Sequence, residues 1–136
     1  MADLEKIMLL VQRRYGILKE MDRLTRELKD TIDRKDEVST HLLLQMRAEE
    51  MSKMDQCQME IWTAVGHEKE DGEFLRELLT CDPFAPRSAD SFEEKKILEI
   101  RQISKKTLDG LRELDQRLNL GVGGEKSFYT QRSGKK

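Results

Sequence analysis

Apolar residues recur along this chain with the period of an α-helix, in three long stretches and one short one. Between about Asp3 and Arg34, Leu4, Val11, Leu18 and Ile32 stand at multiples of seven residues, with Thr25 on the same seam. Ile7, Met21 and Leu28 fill a second seam, and Leu10, Ile17 and Leu24 widen it. A face that broad suits a helical bundle better than the narrow seam of a two-stranded coiled coil. Asp3 is placed to cap this helix, and Gly16 inside it costs about 1 kcal/mol relative to alanine.

Four charges in a row, Asp33-Arg34-Lys35-Asp36, then break the register. Asp36 is a natural N-cap, and Glu37 favours the dipole of a new first turn. A tight turn is expected here, with one bent helix as the other option. The second helix is expected from about Glu37 to Val65. Leu44, Met51, Met54, Ile61 and Val65 form its stripe, and Gly66 stops it. Two helices on the order of 45 Å joined by so short a link pair as an antiparallel hairpin.

Phe74, Leu75, Leu78 and Leu79 predict a short helix at about 72–80, ended by Pro83 and Pro86. A third long helix is expected from about 91 to 120. Ser91 followed by Glu94 is a capping-box pattern. Phe92, Ile97, Ile100, Ile103, Leu111, Leu114 and Leu118 lie on one side of it. Gly121-Val122-Gly123-Gly124 ends the helix. The stretch 121–136 lacks periodicity and reads as a flexible tail, with Lys126, Arg132, Lys135 and Lys136 against Glu125. The fold class is therefore all-α: an elongated antiparallel bundle built on a coiled-coil hairpin (3–65), with a long C-terminal helix, in one unit spanning 1–120.

Composition narrows the picture. Ala, Leu, Glu, Lys and Arg make up nearly half of the 136 residues, close to the proportion that marks long helices. Aromatics are 5%, too few for a sandwich or barrel. No apolar run approaches the roughly 18 residues of a membrane span. Ile7–Val11 follows Glu5 and precedes no small-residue cleavage site, so it does not read as a signal peptide. With 25 Lys+Arg against 27 Asp+Glu the net charge is -2, which argues against nucleic acid as the main partner. Cys57 and Cys81 have no CxxC partner and read as free thiols in a reducing cytosol. His41 and His67 have no metal-ligand companion.

No catalytic constellation, metal set or cofactor motif is present. The glycines at 121, 123 and 124 follow a helix and lack the Lys-Ser/Thr of a phosphate loop. Arg47 and Gln58 fall on the second helix's apolar stripe. Interior polar groups of this kind mark the site of small all-helical enzymes such as chorismate-mutase-like bundles. That reading needs several converging cations, and Arg47 is the one visible, so Arg47 is expected to snorkel to the bundle edge. Met46, Met51, Met54 and Met59 crowd one helix. Methionine suits both a packed core and the reception of a partner helix. Three long apolar faces leave room for a fourth helix, from the short helix, a second copy or a client.

Three segments carry a resemblance. They are Ile17-Leu18-Lys19-Glu20-Met21-Asp22-Arg23-Leu24-Thr25, then Val38-Ser39 leading into Leu42-Leu43-Leu44-Gln45-Met46-Arg47, and finally Leu111-Arg112-Glu113-Leu114-Asp115-Gln116-Arg117-Leu118-Asn119 followed by Ser127-Phe128-Tyr129. In these and in its overall architecture the chain resembles the flagellar type III export chaperones, particularly the FlgN-like group. The resemblance implies a cytoplasmic chaperone without catalysis or cofactor. Its partners would be the C-terminal helical segments of flagellar hook-associated proteins at the hook-filament junction, and a component of the export gate. It assigns client contact to the last helix, hence to Ile97, Ile100, Ile103, Leu111, Leu114 and Leu118 shared with intramolecular packing. It assigns gate docking to Tyr129. A homodimeric coiled-coil adaptor is the alternative; neither reading calls for membrane insertion or nucleic acid.

Overall fold

A computed structural model of the chain describes residues 3–118. Four helices follow in order: α1 (Leu4–Asp33), α2 (Glu37–Gly66), α3 (Gly72–Thr80) and α4 (Phe92–Leu118). The described residues contain no strand, and the chain is an all-α bundle built on the α1–α2 hairpin.

Helix ends follow local chemistry. The Asp3 carboxylate accepts from the Lys6 amide at 3.0 Å, and Asp36 accepts from the Ser39 amide at 3.1 Å. At α4 the Glu94 amide donates to the Ser91 hydroxyl at 3.1 Å, while the Glu94 carboxylate reaches back to the Asp90 amide at 3.2 Å. This is a reciprocal capping box displaced by one residue at its return bond.

The hairpin turn is tight, as the run of charges suggests. Asp36 N–H donates to Thr31 C=O at 2.9 Å, and Lys35 N–H to Ile32 C=O at 3.0 Å. Those two bonds make a Schellman ending, with Lys35 in its left-handed position at φ 59°. Asp36 ends one helix and caps the next. Glycine takes this conformation without the Cβ clash that a lysine meets. Lys35→Gly is therefore expected to raise stability by about 0.5–1 kcal/mol. A urea-unfolding midpoint below that of the parent chain would contradict this.

α1 is the central helix, packed along both α2 and α4. α2 runs antiparallel to it: Arg13 pairs with Glu60, and Thr25 meets Arg47. α4 runs parallel to α1, with Arg101 near Arg14 at one level and Arg117 near Lys29 at another. The main core joins Ile7, Val11, Leu18 and Met21 to Ile61, Val65, Leu75, Leu78, Ile97 and Leu111. A second cluster of Leu24, Leu28 and Leu43 sits nearer the hairpin turn, with Leu118 packed on it.

Two sequence expectations change on packing. The buried line of α2 is Leu43, Arg47, Cys57, Ile61, Ala64 and Val65, while Leu44, Met51 and Met54 are only half-buried. The second helix is thus rotated so that Arg47 and Cys57 take the seam. Phe92, expected on the apolar side of α4, is exposed at the very start of the helix.

Candidate functional site

Arg47 does not snorkel. Its side chain is 1% exposed, and its Nη2 donates to both Asp115 oxygens at 2.8 and 2.6 Å. Its Nε donates to the Thr25 hydroxyl at 3.1 Å. Thr25 in turn donates to the Met21 carbonyl at 2.7 Å, the short-range bond a threonine forms inside a helix. A buried guanidinium costs several kcal/mol unless a carboxylate and further acceptors meet it. Here α4 supplies the carboxylate and α1 the hydroxyl. The cluster ties α1, α2 and α4 in a single register.

Above this tie, α2 and α4 stand apart over α1 and leave a groove of about 570 Å³. Its apolar lining is Leu18 and Met21 from α1, Met54 from α2, Leu79 from α3, Pro83 just beyond it, and Leu108 from α4. The α4 wall is one helical stripe: Arg101, Ser104, Lys105, Leu108, Asp109 and Arg112 follow the spacing of residues on a single helix face. Arg14 completes the rim and donates to Gln58 Oε1 at 2.7 Å. Burial, and after it the charge of Arg101, pulls the Arg14 guanidinium below its ordinary value.

Arg101 is held from behind. Its Nη1 donates to the Leu78 carbonyl at 3.0 Å and its Nη2 to the Cys81 carbonyl at 2.7 Å. These are orphan carbonyls at the end of α3, where a cation is favoured by the helix dipole. Gln102 donates to the Pro83 carbonyl at 2.7 Å, so α4 fastens the proline segment through its backbone. Arg87 bridges Glu77 and Glu94 at 2.7 and 3.3 Å and closes the same connection. The proline segment between α3 and α4 is thus pinned on both sides.

The residues expected to touch a client fall in different places. Ile97, Ile100, Leu111 and Leu114 are buried within the bundle, and Leu118 is half-buried against the second cluster. Ile103 is 47% exposed. The face of α4 that borders the groove is the neighbouring stripe through Ser104 and Leu108, which the heptad count did not single out. Tyr129 lies outside the described residues. Of the four methionines of α2, Met54 lines the groove, Met51 and Met46 pack at core edges, and Met59 is exposed.

The groove cations escaped sequence reasoning because Arg14 and Arg101 belong to helices nearly ninety residues apart. The one local signal was Arg14, which stands four and seven residues before Leu18 and Met21 on a single helix face.

Comparison with family models, with curated proteins and with solved structures finds no match for the chain. Among the described residues no His/Cys/Asp/Glu group is arranged to hold a metal ion, and no helix is long and apolar enough to cross a membrane.

The two thiols differ in setting. Cys57 is buried and its Sγ donates to the Leu10 carbonyl at 3.4 Å. Burial pushes the Cys57 thiol up from its ordinary value. Cys81 is half-buried between Arg87 and Arg101, whose Nη1 atoms approach its Sγ at 3.5 and 3.4 Å. A maleimide added to the native protein is expected to label Cys81 and spare Cys57, read by peptide mass spectrometry. Because the folded Cys57 thiol titrates above the unfolded one, its contribution to stability is complete below about pH 8.5 and declines at higher pH, where the unfolded chain loses the proton first. Cys57→Ala should remove that alkaline decline.

Proposed function

We propose that the chain is an export chaperone of the flagellar type, a cytoplasmic holder without catalysis that covers the helical C-terminal segment of a hook-filament junction protein and delivers it to the export gate. The observation that carries the reading is the groove between α2 and α4. A three-helix packing with α1 at its centre leaves a slot with an apolar floor, of the form that receives an amphipathic helix by its i, i+3, i+4 and i+7 side chains. Met54 at the slot adds an adaptable contact. In this reading α4 meets the client through the Ser104 and Leu108 side, leaving Ile97, Ile100, Leu111 and Leu114 to hold the bundle.

The test is co-purification of the full chain with C-terminal segments of hook-filament junction proteins, followed by sedimentation. A one-to-one complex is expected, lost in Leu108→Glu. A homodimer whose mass is unchanged by the client segments would favour the coiled-coil adaptor instead.

A further inference from the structure

The groove carries four cationic side chains, Arg14, Arg101, Lys105 and Arg112, and one carboxylate, Asp109. The surrounding chain has a net charge of -2, so this local excess is not a reflection of composition. Arg14 is bound to a neutral amide and Arg101 to carbonyls, which hold the guanidiniums in place without cancelling their charge. Lys105 reaches Asp109 at 3.7 Å, and that pair is half-exposed. Arg14 and Arg101 repel each other across this half-buried slot, and an anionic occupant relieves that repulsion.

Resting on the reading above, we propose that the groove selects an acidic amphipathic helix of a partner protein, whose apolar stripe lies on Leu18, Met54 and Leu108 while its flanking carboxylates face Arg14 and the α4 wall. The cations do not converge on a point. From Arg101 to Arg112 they follow about 16 Å of α4, three turns of helix. A small anion would meet one end of that row, whereas a parallel helix carrying Glu or Asp at three- and four-residue spacings meets all of it. The apolar floor argues against nucleic acid, which would cover it without stacking or burial.

The probes are two synthetic amphipathic peptides with the same Leu/Ile stripe, one flanked by Glu and the other by Lys, titrated into the full chain by fluorescence anisotropy. The Glu-flanked peptide is expected to bind about tenfold more tightly or better, with the advantage shrinking at high salt. Lys105→Glu, a change at an exposed position that leaves the core alone, should remove most of that advantage, and Arg14→Gln should reduce it independently. Equal affinity for the two peptides overturns the acidic selection while leaving a helix-holding groove intact. Failure of both peptides to bind overturns the groove as a helix receptor and the proposed function with it. Binding of succinate without either peptide would make the groove a small-anion site and overturn the inference.

Discussion

Replacing Arg47 with alanine is expected to cost about 3–5 kcal/mol, most of the margin of a small domain. The loss does not measure the strength of the ion pair. It reflects the Asp115 carboxylate, 4% exposed, left in the interior without its bidentate partner. Removing both charges together tests that cause. Arg47→Met with Asp115→Leu keeps the volume and removes the desolvation of both ions, so the double variant is expected within about 1 kcal/mol of the parent or above it. Urea unfolding of the two single variants and the double variant gives the comparison. If Arg47→Ala changes stability by less than about 1 kcal/mol, the buried tie is not what holds α4 on the hairpin. The double variant would also lose a polar contact that fixes how α4 sits along α1 and α2. Sharper thermal transitions in the parent than in the double variant would show that register is what the pair supplies.

Ile97→Ala is expected to cost about 2–4 kcal/mol, and Ile103→Ala less than about 0.5 kcal/mol. The two isoleucines stand on one helix six residues apart, and sequence gives no reason to separate them. Ile97 is fully buried among α1, α2 and α3 side chains, so truncation removes its transfer free energy and leaves a cavity. Ile103 is 47% exposed, and truncation there removes surface already in water. Leu111, also fully buried, should behave like Ile97. Chemical unfolding of the three alanine variants decides the matter. Equal losses at Ile97 and Ile103 would mean that α4 is turned relative to the arrangement described above, and the Ser104–Leu108 face would then not border the groove.

Much of the fold is legible from neighbouring residues. Asp3, Asp36 and the Ser91–Glu94 pair cap helices where their side chains suggest. Gly66 ends α2, and the charged link at 34–36 becomes a two-bond helix stop followed at once by a new cap. These features depend on hydrogen bonds that span three to five residues, so the order of residues is enough to set them. The wide apolar face of α1 also survives in the structure, with Ile7, Val11, Leu18, Met21 and Leu28 all buried. It does so because α1 is flanked on two sides and needs every seam it has.

The second and fourth helices are less transparent for the opposite reason. Each meets the bundle with one part of its surface, and the apolar residues are spread widely enough to allow more than one rotation. For α2 the rotation is settled by Arg47, whose burial makes sense only once Asp115 is found 68 positions away. For α4 it decides which isoleucines are core and which side borders the groove.

The sequence by itself determined the four helices of the described residues, where each begins, and that the first two form a hairpin, because local hydrogen bonding and apolar period carry that information. Tertiary structure alone decided that Arg47 is an interior tie and that Arg14, Arg101, Lys105 and Arg112 share one groove. Charges on separate helices interact through space, and no spacing along the chain records which of them will face each other.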